Sequence, residues 1–400
     1  MIIATAGHVD HGKTKLIEAI TGVNSDRLPE EKNRGMSIDL GFAYHDLGNG
    51  VILNFIDVPG HERFINNLLS GFSNVDLGLL VIAADDGPMP QTEEHLSILQ
   101  LLQVKNCIIV LTKIDKVNQK RLDNVCCLIK KMMHKTIFSD AEIFHISNKT
   151  GQGIYNLVSH LKIIALNYHH KEVKGNFRLS VDRRFLVKGA GIVITGTVVS
   201  GEVSVGEELI HSKSGESLKI RAIHSQSKKS KNGIQGHRCS LNITGQKITI
   251  DKISRGDWIL SKNVFFVTNR LDAVLSILKN EKKIFKHWTA IHLYLGSGNV
   301  TGRIAILGSF SINPGEKKIV QLVLDKPVHA VFDDKFVIRD ISSSRTIGGG
   351  YILDPFAKKN NNTNFRSFRT ERLKLISPNS SKIVLNNLLL NYIPVSYTHL

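Results

Sequence analysis

A chain that opens on Ile2-Ile3-Ala4-Thr5-Ala6 and runs straight into Gly7-His8-Val9-Asp10-His11-Gly12-Lys13-Thr14 has few folds open to it. The first run reads as a buried strand. The second has the spacing G-x-x-x-x-G-K-T, a phosphate loop leading into a helix near Lys13. Two glycines let the backbone curl until successive N–H groups face one anion, and the helix adds its positive end. At this spacing Lys13 reaches the β- and γ-phosphates of a nucleotide, and the Thr14 hydroxyl is placed for Mg²⁺.

Four further elements follow in an order that makes the nucleotide a guanine one. The polar stretch 23–41 reads as a long functional loop in which Ser37 is the candidate hydroxyl for Mg²⁺. The strand-like run Val51–Ile56 ends in Asp57-Val58-Pro59-Gly60-His61. Asp57 suits a second Mg²⁺-side contact, Gly60 can offer its N–H to the γ-phosphate, and His61 falls beside the attacking water. A buried run at Cys107–Leu111 ends in Thr112-Lys113-Ile114-Asp115. There Asp115 can accept two N–H donors from guanine, and Lys113 can lie along the base. Glu142–Ile146 then leads into Ser147-Asn148, a loop placed to touch the guanine oxygen. Helix-length segments at about 61–73, 91–103, 119–135 and 153–166 alternate with these strands. The expectation is an α/β P-loop GTPase domain, a parallel sheet with helices on both faces.

Charge divides the chain. Residues 1–170 carry 16 Lys+Arg against 18 Asp+Glu, and the remaining 230 carry 36 against 17. A near-neutral front and a strongly basic back suggest a catalytic module joined to one that binds a polyanion. No run approaches the length of a membrane span, and no signal peptide is read before the first strand, so a cytoplasmic protein is expected. Cys107, Cys126, Cys127 and Cys239 match neither a zinc spacing nor a disulfide framework. His169-His170 falls in the polar stretch 167–176 and reads as linker rather than metal site.

From Phe177 the pattern changes to short β-rich runs broken by Gly and Ser, such as Ile192–Val199 and Leu218–Ile223. A second set runs from about Thr289 to Asp354. Two β-barrels are expected behind the first domain. Lys228-Lys229-Ser230-Lys231 reads as a solvated loop that brushes phosphate.

GHVDHGKT, RGMSIDLGFA and DVPGHERF resemble the translational GTPases of the elongation factor Tu class, and within it the selenocysteine-specific branch (SelB). The resemblance implies that His61 orders the hydrolytic water once the ribosome engages, with Val9 and Met36 holding it back until then. It marks two departures. Ser37 stands where the family usually has threonine, which implies a looser loop. Thr112 stands where most relatives have asparagine, which implies a lost amide brace on the phosphate loop. The text around Phe177–Phe185 and Gly236–Asn242 is similar to the second domain of that branch, and the family's aminoacyl pocket maps onto Asp182, Arg183 and Arg238. A selenol is anionic at neutral pH, and two guanidiniums would favour it over a serine hydroxyl.

The expected layout is therefore a P-loop GTP-binding domain at 1–168, a barrel carrying the aminoacyl pocket at 176–262, and a second barrel at 263–356. Residues 357–400 are expected to be a linker and the start of a winged-helix region. In the family such repeats grip an mRNA hairpin. Only Ser380 to about Ile393 could begin one, so a C-terminally truncated chain is expected, with final residues unlike a domain end. The function implied is a ribosome-activated GTPase, a monomer with GTP/GDP and Mg²⁺, that brings selenocysteinyl-tRNA to recoded UGA codons. The alternatives are a translation GTPase carrying general or initiator tRNA, and a GTP-dependent regulator that binds no tRNA.

Overall fold

A computed structural model describes residues 1–26, 28–34, 36–48, 50–61, 64–72, 75–168, 173, 175–359 and 373. His169-His170 and the run Ser380–Ile393 lie outside the described residues. The chain divides into two compact units, 1–172 and 173–400.

In the first unit the order is β1 (Ile2–Ala6), α1 (Lys13–Thr21), α2 (Pro29–Arg34), β2 (Gly41–Asp46), β3 (Ile52–Asp57), α3 (Ile65–Phe72) and β4 (Leu77–Ala83). Then come α4 (Pro90–Leu101), β5 (Asn106–Thr112), α5 (Gln119–Met133), β6 (Ile143–His145) and α6 (Ile154–Asn167). The strands form one sheet in the order β2-β3-β1-β4-β5-β6. β1 and β4 are buried along their whole length, as strands covered on both faces must be. The helices supply that cover with apolar residues at helical spacing: Leu16, Ile17 and Ile20 on α1, Leu157, Leu161 and Ala165 on α6. Both pack on one core with Ile3, Phe55 and Val110. On α4, Leu99 lies against β4 so closely that a Cβ on Gly78 would come within 2.9 Å of its Cδ1.

The sheet departs from the expectation at one edge. β2 was not read from the sequence as a strand, and it pairs antiparallel with β3, from Gly41↔Asp57 to Asp46↔Ile52. A five-residue return at Leu47–Val51 can only turn the chain back beside itself, whereas a parallel neighbour needs a helix-length crossover. A short helix, α2, also interrupts the stretch expected to be loop.

The second unit holds two barrels. The first is built from β7 (Arg178–Val187), β8 (Gly191–Ser200), β9 (Glu202–Ser204), β10 (Glu208–His211), β11 (Ser217–Ser225), β12 (Lys228–Ser230), β13 (Asn232–Ile234), β14 (Arg238–Thr244) and β15 (Trp258–Leu260). Its sheet runs β10-β15-β7-β8-β14-β11-β12 and closes through β10–β11. The second comprises β16 (Thr268–Ile277), β17 (Phe285–Lys286), β18 (Thr289–Leu295), β19 (Gly298–Ile306), β20 (Ser311–Ile312), β21 (Lys317–Val328), β22 (Lys335–Asp340) and β23 (Thr346–Asp354). It closes in the order β16-β21-β19-β18-β22-β23. Each barrel encloses its own apolar core.

A polar joint connects the barrels. Arg178, the first residue of β7, forks onto Asp334 (Nη1–Oδ1 3.1 Å, Nη2–Oδ2 2.5 Å), donates to His329 Nε2 at 3.0 Å, and lies 4.7 Å from the centre of the Trp258 ring. Gly256 meets Gly298 backbone to backbone, where a Cβ on Gly256 would stand 2.4 Å from the Gly298 Cα. No described helix is long and apolar enough to cross a membrane.

Candidate functional site

The loop between β1 and α1 curls as the sequence requires. Gly7 has φ 130°, and a Cβ there would fall 2.1 Å from the Val81 carbonyl oxygen, so only glycine fits. Asp10 (φ 62°) and Gly12 (φ 86°) are left-handed, the latter immediately before α1. Lys13 is buried, its ammonium donating to the carbonyls of Gly7 (3.1 Å) and His8 (2.7 Å). Burial lowers its pKa to about 8, against the pull of Asp57, Asp10 and Asp26. The turn after β3 lies over this loop: a Cβ on Gly60 would stand 2.6 Å from Lys13 Nζ and 2.8 Å from the Val9 nitrogen. Between the loop and the segment 24–37 lies a cavity of about 360 Å³ whose lining includes Val9, Asp10, Lys13, Met36, Ser37 and Gly60. His61 follows directly, its ring 6.0 Å from that of Phe64.

Oxygen donors converge at the start of α1. Thr14 Oγ1 donates to Asp57 Oδ2 at 2.7 Å and lies 3.0 Å from Ser37 Oγ, which donates to Asp26 Oδ1 at 2.8 Å. Asp57 is fully buried and accepts further bonds from Thr5 (3.0 Å) and Ser25 (2.6 Å). Burial, together with the carboxylates of Asp57 and Glu31, pushes the Asp26 carboxyl above its usual range, against the pull of the Ser37 hydroxyl. Hard oxygens gathered around crowded carboxylates fit Mg²⁺. Among the described residues no group of three or more His, Cys, Asp or Glu is gathered as a metal cluster, so this corner would hold its ion mainly through hydroxyls and Asp57.

Two residues that position this corner were not foreseen. Glu31, almost fully buried, accepts the backbone N–H groups of Leu28 (2.8 Å), Ile38 (3.0 Å) and Asp39 (3.0 Å). It ties the loop around Ser37 into a compact turn. His95 on α4 accepts the Gly7 N–H through Nδ1 at 2.9 Å. A buried acid in a polar stretch and a buried histidine on an amphipathic helix carry no sequence signature of their own. His11, within the loop, is wholly buried, and burial with neighbouring His8 lowers its pKa to about 4.

The β5 and β6 ends meet at the other side of the loop. Asp115 Oδ1 accepts from Ser147 Oγ at 2.6 Å, and that bond holds its carboxyl below the usual range. Lys113 is left-handed (φ 56°), with its ammonium 3.4 Å from Asp85. The brace expected to be lost at residue 112 persists in another form. Thr112 Oγ1 donates to the His11 carbonyl at 2.7 Å, since the strand end stands close enough for a hydroxyl to span the gap. Asn148 Nδ2 donates to the next carbonyl, Gly12, at 3.3 Å.

In the first barrel, Asp182, Thr195 and Arg238 meet across the adjacent strands β7, β8 and β14. Arg238 forks onto Asp182 (Nε–Oδ2 3.0 Å, Nη2–Oδ1 2.9 Å), and the Thr195 hydroxyl donates to Asp182 at 2.5 Å. Burial alone would raise the Asp182 carboxyl, but the Arg238 guanidinium and its bond, with Thr195 and Arg183, hold it below the usual range. A register shift between Val181 and Arg183 makes Asp182 an extra residue of β7, buried beside Thr195 and Arg238 on the face away from the barrel core, with Arg183 half-exposed next to it. Arg238 is thus already matched by a buried carboxylate, and Asp182, Arg183 and Arg238 together carry a single net positive charge. Lys228, Lys229 and Lys231 are exposed around the β12 hairpin. The cysteines are free thiols.

A phosphate loop, an Asp57–Gly60 turn above it and an Asp115 loop beside it, on a sheet of this order and ahead of two barrels, define a P-loop GTPase of the translation-factor type. The family description "Elongation factor Tu GTP binding domain" matches residues 1–166, and "Selenocysteine-specific elongation factor, beta-barrel domain" matches residues 272–359. The chain is 41% identical over 353 residues to the selenocysteine-specific elongation factor of Escherichia coli (strain K12), covering 88% of this chain and 55% of that one. It is 30% identical over 321 residues to that of Methanocaldococcus jannaschii, covering 78% and 68%. The crystal structure of a bacterial selenocysteine-specific elongation factor, EF-Sec, superposes with a TM-score of 0.84 at 32% identity, over 97% of this chain and 63% of the other. The chain belongs to the selenocysteine-specific elongation factor family. It spans about half the length of the bacterial relative from Escherichia coli.

Proposed function

We propose that this chain binds GTP in its first unit and selenocysteinyl-tRNA through its barrels, and delivers that tRNA to the ribosome at recoded UGA codons. Residues 1–168 form the nucleotide domain, 176–262 the barrel with the aminoacyl pocket, and 263–356 the second barrel. The phosphate-loop N–H groups and Lys13 bind the phosphates, while Asp115, Lys113 and the Ser147 loop read guanine. Thr14, Ser37 and Asp57 would hold Mg²⁺, which when bound neutralises charge on the β- and γ-phosphates. Gly60 meets the γ-phosphate, and His61, one residue on, orders the water when the ribosome engages. Hydrolysis then releases the loop around Ser37.

The observation that supports the aminoacyl assignment is the buried Asp182–Arg238 pair with Arg183 beside it, in a chain of this family. The pair fixes a guanidinium that cannot move away, and Arg183 adds the charge that favours a selenolate over a neutral hydroxyl. The deciding experiment compares GTP-dependent binding of selenocysteinyl-tRNA and seryl-tRNA built on one tRNA body. Strong preference for the selenol form, lost with GDP and reduced at least tenfold by Arg183→Ala, is expected. Equal binding of both would leave a tRNA carrier without an anion pocket. Binding of neither, with GTP still bound, would leave a regulator.

A further inference from the structure

Two consecutive carbonyls of the phosphate loop are each held by a side chain from a different loop. Thr112 Oγ1, at the end of β5, donates to His11 O, and Asn148 Nδ2, after β6, donates to Gly12 O. Both close on the same left-handed turn: a Cβ on Gly12 would stand 3.2 Å from Asn148 Nδ2 and 3.9 Å from Thr112 Oγ1. The same two loops carry the base-reading groups. Thr112 directly precedes Lys113, and Ser147, next to Asn148, holds Asp115. A backbone bond from Ile114 N to Ile146 O (3.4 Å) joins the loops to each other.

A peptide unit is planar, so the direction of a carbonyl fixes the direction of the N–H that follows it. Holding the carbonyls of His11 and Gly12 therefore aims the N–H groups of Gly12 and Lys13, which stand at the start of α1 where a phosphate is bound. The Gly12 carbonyl also accepts from Leu16 N at 2.9 Å, so Asn148 adds a second donor to a group the helix already satisfies. Asn148 Oδ1 is buried and has no hydrogen-bond partner among the described residues. Folding alone gives little reason to keep an amide there with one end unsatisfied.

We propose that Asn148 is a positioning residue which, with Thr112, couples the base-reading loops to the phosphate loop, so that contacts to guanine and to phosphate strengthen one another. This rests on the guanine-nucleotide reading above. Ordering of Asp115 and Ser147 by the base stiffens the residues adjacent to them, and the two straps carry that order to the peptide planes that face phosphate. Asn148 does so through its side-chain amide, which is turned to the Gly12 carbonyl.

The test uses the full chain and two nucleotides, GDP and IDP, which lacks the 2-amino group that Asp115 accepts. Dissociation constants are measured for wild type, Asn148→Ala, Thr112→Val and the double variant. The double variant is expected to bind GDP on the order of tenfold more weakly, with its GDP/IDP preference reduced at least threefold. Thr112→Ser, which keeps the hydroxyl, restores the preference in the Thr112 series. Melting of the nucleotide-free protein reports whether a variant is folded, and the isosteric Asn148→Asp removes the same donor should the alanine variant fail to fold. An identical GDP/IDP ratio in all folded variants would overturn the coupling while leaving guanine recognition intact. A wild-type chain that binds neither nucleotide would overturn both.

Discussion

Lys13 shows what a single buried charge can report. Its ammonium is held by two loop carbonyls, and burial brings its pKa to about 8. A bound polyphosphate favours the protonated form and raises that value again. Below pH 8 the free protein already carries the proton, so affinity is flat. Above it, binding takes up a proton and weakens as pH rises. Calorimetry at pH 9 in two buffers of different ionisation enthalpy should detect that uptake; identical heats would contradict it. The identity of Lys13 was legible because its chemistry lies in local spacing. The buried acceptors that orient the same corner, Glu31 and His95, were not, because their partners come from segments that only folding brings near.

At the scale of elements, the register shift in β7 decides what the first barrel can do. In a regular strand Asp182 and Arg183 would face opposite sides, and Val181 would share a side with Arg183. The shift makes Asp182 an extra residue opposite β8, on the face away from the barrel core, where its carboxylate meets Thr195 and Arg238. Removing the guanidinium should leave a buried carboxylate unmatched. Arg238→Met is expected to lose about 3–5 kcal/mol, and pairing it with Asp182→Leu should recover much of that. Urea unfolding of the single and double variants measures both, and a loss under about 1 kcal/mol would mean the pair is solvated. The composition of this pocket could be named from resemblance alone. Its neutralised arginine could not, since a strand's periodicity gives no sign of a bulge.

For the molecule as a whole, the joint between the barrels makes the second unit acid-sensitive. His329 Nδ1 faces the Phe266 carbonyl at 3.1 Å, which can only accept, and Nε2 faces the Arg178 Nε–H, which can only donate. The ring is therefore neutral with its proton on Nδ1. Burial and neighbouring Arg178 lower its pKa to about 3 from the ordinary 6.5. The unfolded chain binds the extra proton between those values, so this stabilisation is complete above pH 6.5 and is lost as pH falls towards 3. The loss amounts to several kcal/mol, on the order of 4. Urea midpoints for the second unit should fall from pH 7 to pH 4, and His329→Gln should flatten that slope; an unchanged slope would place the acid sensitivity elsewhere.

The amino-acid sequence by itself determined the phosphate loop, the order of the four elements that follow it, the near-neutral front and basic back, and the two sets of short strands. Each of these is written in spacing or periodicity over a few residues, and backbone sterics with burial turn such patterns into loops, strands and helices wherever they occur. Tertiary structure alone decided that β2 runs antiparallel at the sheet edge, that a hydroxyl at Thr112 still braces the loop, and that Asp182 already matches Arg238. It alone joined Arg178 to Asp334 and His329, 156 and 151 residues away along the chain. Those outcomes depend on ångström distances between segments far apart in sequence, and no local pattern encodes a distance of that kind.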